Sequence, residues 1–541
     1  MRIRGRQQLI GCFLAAWLAL GVGGALAEDA ASVSNAIDTT APAVVSLETR
    51  LQQLEQNHAA LATQHEEMIV ENQRLRSQVE AMTASLDDAL DRSSGSGGEG
   101  AFANGGGPIG QGPSSRWSFD DQPDDIRGDE PEPAEGEQRT ASTFGEGFKW
   151  TTHDGEFDMA FHNETQLDVR AYEQNDSEPV NQFGFYTSRM RLYFNGSLTE
   201  PIEYSVSVNK GLGDLNLLDA YFNFNYDSRF QFRVGRFRVP YTYDWYALSN
   251  QFLPTPERSV FAINYGYNRN WALMLHGERG DEKGEYAVAL SAGPRNQYYD
   301  FNADKDVLAY LNLRPLQDNE ELPALKYWNV GGSMAYGIQD QAPRPRQFWT
   351  SLNATDSEGA DEAAPWFLEL NDDVRERGPR HLWDVHSALY YKQLTLMTGW
   401  ETGYNSYSVG DDPYLRVPTH GWHAQFGYFL TGEELTRRTF VEPLHPFDLR
   451  DEKRGLGAIE VQSRYDEFTV GDEIFSGGFA DRNEWTGHVK TIDSGVNWYL
   501  NKFTKIYFDW QHAMFAQPIP YRPGGMQHHS NLFWTRFQIY F

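Results

Sequence analysis

Cysteine is almost missing from this chain: Cys12 is the only one in 541 residues. It lies inside a stretch laid out like an export signal. Arg2, Arg4 and Arg6 precede an apolar run from Leu9 to about Leu26, which ends in Ala25-Leu26-Ala27. Cleavage after Ala27 is expected, in preference to a lipoprotein site at Leu9-Ile10-Gly11-Cys12, which would leave almost no hydrophobic region before the cysteine, and it leaves a mature chain without thiols. Disulfides, a catalytic thiol and cysteine-based metal sites are then excluded. Long hydrophobic runs are missing as well. Beyond residue 27 no 18 consecutive residues are apolar, which excludes a transmembrane helix there. Basic charge is scarce, with 46 Lys and Arg against 76 Asp and Glu and a formal charge of −30, so a nucleic-acid partner is not expected. No nucleophile motif and no H-E-x-x-H spacing occurs, so neither enzyme activity nor a metal or other cofactor is expected.

What the chain does have is aromatics: Phe, Trp and Tyr make up 14% of it. Many aromatics in a polar average, with an export signal and no helical span, suit a membrane β-barrel, whose apolar residues occupy every second position. The last eleven residues show that period. Phe533, Thr535, Phe537, Ile539 and Phe541 fall on one face of an extended strand, and Trp534, Arg536, Gln538 and Tyr540 on the other. The alternative is the last strand of a soluble sandwich.

Five segments follow from composition: a signal peptide (1–27), a spacer (28–46), a coiled coil (47–91), an acidic Gly/Pro/Ser-rich linker (92–147) and a barrel (148–541). In the coiled coil, Leu47, Leu54, Leu61, Met68, Leu75, Met82 and Ala89 alternate at spacings of 4 and 3 with Leu51, His58, His65, Asn72, Val79 and Leu86. A single amphipathic helix packed on the barrel is the other reading. His58, His65 and Asn72 read as register devices rather than ligands. Residues 28–147 carry a net −16, so about half the negative charge lies outside the expected barrel. The linker has little to bury. A coiled coil needs a partner helix, so an oligomer is expected, with a homotrimer as the preferred state.

The fold class expected is an all-β transmembrane barrel of about sixteen antiparallel strands, near 156–172, 186–197, 202–209, 217–226, 229–238, 271–277, 286–293, 306–314, 328–337, 382–391, 394–404, 421–430, 457–466, 487–499, 504–514 and 531–541. An even count puts both barrel ends, and the coiled coil, on the periplasmic side of a bacterial outer membrane. Short turns near 198–201, 227–228, 392–393 and 500–503 alternate with long external loops. The stretch 431–456 breaks this rule, being long on the periplasmic side.

A barrel of this size leaves an aqueous channel whose inward side chains set its selectivity. In the second strand Arg189 and Arg191 oppose Met190, Leu192 and Phe194; in the fifth, Arg229 and Arg233 oppose Phe230, Phe232 and Val234. A bulge near Gly235 is expected to keep Arg236 and Arg238 inward too. The following connection, about 239–270, carries Arg258, Arg269 and three prolines among many aromatics, and is expected to fold into the pore as its constriction. Arg189, Arg191, Arg233, Arg236, Arg238, Arg258 and Arg269 are the candidate anion path, since a guanidinium fork suits phosphate. Inward acids such as Asp158, Glu164, Asp168, Glu203, Glu460 and Asp509 leave a second role open, in which the arginines brace the wall.

Leu218-Asp-Ala-Tyr-Phe222, Arg233-Val-Gly-Arg-Phe-Arg-Val-Pro-Tyr241, Glu257-Arg-Ser259, Gly427-Tyr-Phe-Leu-Thr-Gly-Glu433 and Gly495-Val-Asn-Trp-Tyr-Leu-Asn501 resemble the phosphate-selective porin O and P family. The resemblance covers most of 150–541 and rests on the order and spacing of these motifs. It implies a trimeric sixteen-stranded porin whose arginines pass phosphate or polyphosphate. A lysine cluster of that family has no residue-by-residue match here, and the coiled coil and acidic linker look like a periplasmic extension. The function expected is therefore passive diffusion of small solutes, with anions or phosphate as cargo. The alternative is a structural tether joining the outer membrane to the cell wall through the coiled coil.

Overall fold

The computed structural model describes residues 140–145, 147–172, 183–211, 215–280, 283–293, 295–296, 304–351, 366–450, 454–520 and 525–541. The signal peptide, the coiled coil, most of the linker and the tether reading built on them lie outside these residues.

Sixteen antiparallel strands form a closed barrel: β1 (Asp158–Tyr172), β2 (Phe183–Thr199), β3 (Ile202–Asn209), β4 (Asn216–Phe224), β5 (Gln231–Arg238), β6 (Arg269–Arg279), β7 (Gly284–Ser291), β8 (Asp306–Leu313), β9 (Tyr327–Gln341), β10 (Val374–Tyr391), β11 (Leu394–Val409), β12 (Leu415–Phe429), β13 (Ala458–Val470), β14 (His488–Asn501), β15 (Thr504–Pro520) and β16 (Met526–Tyr540). Each pairs with its sequence neighbour, and β16 closes on β1 from Leu532↔Tyr172 to Tyr540↔Glu164. Phe541 extends the seam by exchanging backbone hydrogen bonds with Asn163 at 3.0 and 3.1 Å. Closure leaves the barrel no free edge strand. A short hairpin, Thr140–Gly145 with Gly147–Thr152, pairs along the start of β1.

The wall is built with its polar side inward. Along β1, Asp158, His162, Glu164, Gln166, Asp168 and Arg170 are buried, while Leu167 between them is 47% exposed. The largest fully buried side chains include seven arginines. Outward, Val234, Leu273 and Leu290 line up across β5, β6 and β7, with Leu273 and Leu290 about half exposed. Such a surface is stable only against hydrocarbon. Leu273→Arg should therefore destabilise the membrane-inserted barrel by about 2–4 kcal/mol, the cost of a mid-bilayer cation on a barrel's lipid face. Denaturant unfolding in lipid vesicles measures it, and a wild-type midpoint for this variant would contradict the lipid-facing assignment.

The barrel is partly filled from within. The connection 239–268 enters the lumen as a single helical turn (Tyr243–Ala247), a second turn (Asn250–Phe252) and a short helix α1 (Val260–Tyr265). Pro254 and Pro256 keep the chain extended between them, and Ser259 caps α1 by accepting a hydrogen bond from the Ala262 amide. A two-stranded hairpin, Gln347–Trp349 with Trp366–Glu369, packs over α1. Phe348, Phe367, Phe468 and Tyr265 meet there at ring separations of 5.6 to 6.5 Å and form a hydrophobic core inside the barrel.

On the turn side, the stretch 431–450 folds back against the barrel wall. Leu435 and Val441 bury against Phe429, Ala458 and Tyr499, and the Phe440 ring stacks on Tyr540 and meets Phe252 of the inner loop. Its length is that of a strap, which a simple turn would not need.

Candidate functional site

The inner loop is held by a row of donors from the wall strands and from Arg438 of the strap, aimed at residues 251–257. Gln538 Nε2, Lys505 Nζ, Asn497 Nδ2 and Arg438 Nε donate to the carbonyls of Gln251, Leu253, Pro254 and Phe252 at 2.7 to 3.0 Å. Arg464 donates to the Glu257 carbonyl and to Thr255 Oγ1, and is itself paired with Asp466 and Asp493. The Glu257 carboxylate is the keystone. It accepts two hydrogen bonds from Arg189 at 2.8 and 2.7 Å and one from Arg536 at 2.9 Å, while Arg536 also grips Asp168 at 2.7 and 2.9 Å. Burial pushes the Glu257 carboxyl up, but the Arg189 and Arg536 guanidiniums outweigh it and hold it at about 2. Glu257 is therefore ionised at neutral pH, and the extended segment between the two prolines is pinned to β1, β2 and β16.

The seven candidate arginines separate into groups. Arg189 belongs to this latch, and Arg191 pairs with Glu164 at 3.3 Å. Arg269 pairs with Asp219 at 3.0 Å. The bulge expected near Gly235 does not occur there, because pairing with β4 is continuous from Phe232 to Arg236 and with β6 from Gln231 to Arg238. Arg236 consequently sits opposite the outward Trp271 and is buried against the carbonyls of Leu217 and Arg269. Gly235 itself has φ +133° and lies so close to the Ala220 carbonyl that a Cβ would collide with it; a close approach of neighbouring backbone, not an extra residue, accounts for the glycine. Arg258 is 2% exposed, stacks on Trp245 at 4.2 Å and donates to the Leu248 carbonyl, leaving Nε and Nη1 without a partner. Arg233 stacks on Tyr221 at 4.4 Å and donates to Asn223 Oδ1 at 3.3 Å. Arg238 donates to the Leu248 carbonyl at 3.1 Å.

Space remains on the side of β2–β7. A cavity of about 130 Å³ runs between that wall and the inner loop residues Tyr246–Gln251. Arg233, Arg238 and Arg269 line it, together with Tyr193, Tyr221, Glu203 and Asp219. Arg189, Arg191, Arg236 and Arg258 do not. Among the described residues no group of three or more His, Cys, Asp and Glu side chains is placed to hold a metal ion.

The family model for phosphate-selective porin O and P matches residues 160–514, most of the barrel described above. This chain belongs to that family. A curated relative, Porin O of Pseudomonas aeruginosa, is 34% identical over 96 residues, which is 18% of this chain and only 22% of the relative's own length. Solved structures of similar form include an anion-selective porin from Comamonas acidovorans (11% identity, covering 71% of this chain and 100% of that one, TM-score 0.42). OmpT of Vibrio cholerae in its trimer form is another (9%, 71% and 100%, TM-score 0.41), as is the outer membrane channel DcaP of Acinetobacter baumannii (9%, 71% and 98%, TM-score 0.40).

Within this barrel the residues that hold the inner loop are poorly legible in sequence. Arg438, Arg464 and Lys505 stood out in no motif, and Arg536 showed only as a polar position in an alternating strand. Their partners lie 186 to 280 residues away along the chain. The only local signal was inward phase, which says where a side chain points but not what it meets.

Proposed function

We propose that this protein is an outer-membrane porin, a water-filled passage for small solutes that draws anionic groups in through Arg233 and Arg238, and that it works as a homotrimer with its short turns in the periplasm. The observation that carries the anion path is a contrast among the arginines. Arg189, Arg191, Arg269, Arg438, Arg464 and Arg536 are each in an ion pair with a carboxylate. Arg233 and Arg238 line the cavity and make hydrogen bonds only to an amide oxygen and a backbone carbonyl. Their charge is therefore available to a passing solute. Two moderate sites in sequence favour conduction over trapping. The bracing role falls to the paired arginines.

Planar-bilayer recording under a KCl gradient tests this. A reversal potential favouring chloride is expected, with added phosphate reducing the current. The double variant Arg233→Gln, Arg238→Gln should move the reversal potential toward cation preference and relax the phosphate block. A reversal potential the double variant leaves in place would remove both arginines from the path.

A further inference from the structure

The anion path accounts for Arg233 and Arg238 but not for the carboxylates that share their cavity. Glu203, Glu278 and Glu285 line the same space. In a pore built for anions alone they would raise the barrier to entry. Glu278 and Glu285 stand directly opposite each other on β6 and β7, and Glu285 accepts hydrogen bonds from Tyr310 and Asn312. Glu203 is fixed in place. Its two oxygens accept from Asn223 at 2.8 Å and Asn225 at 2.9 Å. Asn223 has a second role, because its carbonyl oxygen accepts from Arg233 Nε. Glu203, Asn223 and Arg233 are consecutive partners in the register across β3, β4 and β5. A carboxylate and a guanidinium are thus held in one row, kept from direct pairing by the width of one amide, with both heads on the cavity.

We propose that this row is a recognition site for small zwitterions, solutes bearing an ammonium and a carboxylate, and that such solutes are a preferred cargo. This rests on the porin reading above. The solute's carboxylate lies against Arg233, its ammonium against Glu203, and Asn223 sets the spacing between them. A zwitterion gains from both charges at once, whereas a free anion meets Glu203 and a free cation meets Arg233. Because neither charge is neutralised by the other, both remain strong partners for a dipolar solute.

Liposome swelling with the full-length protein tests this, with serine as the zwitterion and erythritol as a neutral solute of similar size. Serine is expected to enter faster than erythritol, and Glu203→Gln and Arg233→Gln should each lower the serine-to-erythritol ratio by about threefold. Heat-modifiable migration on gels checks that each variant barrel is folded. Should either fail to fold, Asn223→Ala, which removes the amide between the two charges, should lower the same ratio. A wild-type ratio at or below unity overturns the proposal, and so does a ratio unmoved by folded variants; in both cases the channel itself stands. No swelling with any solute overturns the porin reading instead.

Discussion

Glu257→Ala is expected to release the inner loop from the barrel wall and to cost about 3–5 kcal/mol, the range for removing one partner of a buried ion pair. The carboxylate is 3% exposed and satisfies Arg189 and Arg536 together. Without it two buried guanidiniums lose their shared anion. The expected readouts are a lower unfolding midpoint and a noisier open channel, since residues 251–257 would lose their only buried ion pair to the wall and keep the backbone contacts, the Thr255 hydroxyl and the Phe252 packing. Glu257→Gln retains the volume and should fall between wild type and alanine. The pH dependence follows from the same pair. The folded Glu257 value, about 2, lies below its ordinary 4.5. Its stabilising contribution is therefore complete above about 4.5 and is lost as the pH falls through about 2. Channel noise should hold steady from neutral pH down to about 4.5 and rise only as the pH nears 2. A Glu257→Ala barrel that melts and conducts like wild type would rule out the latch.

Arg438→Ala is expected to free the strap 431–450 from the barrel wall and to enlarge the conductance. Arg438 makes a bidentate pair with Glu460 at 2.7 and 3.1 Å and also donates to the Phe252 carbonyl. It thus ties the strap, the wall and the inner loop at one point. Glu460 is fully buried and would be left with only the Asn497 amide and the Tyr499 hydroxyl. The loss should again be about 3–5 kcal/mol, with the strap's apolar contacts at Leu435 and Val441 holding the remainder. Arg438→Lys supplies charge without the planar fork and should recover only part of the effect. Unchanged conductance and an unchanged unfolding midpoint in Arg438→Ala would show that the strap does not depend on this residue.

The wall was legible because two solvents act on it. Hydrocarbon outside and water inside impose a period of 2 on each strand, and sixteen such segments could be counted. The errors fall at the loop side. β10 starts at Val374 rather than near 382, and β12 at Leu415 rather than near 421. Gly378 and Pro379 interrupt β10 where its pairing with β11 skips from Glu376 to His381, so the alternation is broken in the part that extends beyond the apolar belt. The connection 471–487, with its short turn at Glu473–Ser476 and the buried Ile474, Phe479 and Trp485, was not singled out either. It packs into the filled lumen, where no strict period applies.

Alternation alone pointed to a barrel of about sixteen strands, and local motifs pointed to its family. The inner loop could be placed in the pore from its length, its prolines and its aromatics. What only the tertiary structure decided is the use of each charge. Arg189 and Arg233 are both inward arginines in alternating strands, and nothing local separates them. One meets Glu257 from a loop 68 residues away and becomes part of the latch; the other meets the Asn223 amide and the Tyr221 ring, with no carboxylate, and lines the cavity. The physical reason is that inward phase is a property of the strand, whereas charge compensation depends on which distant segment fills the lumen beside it.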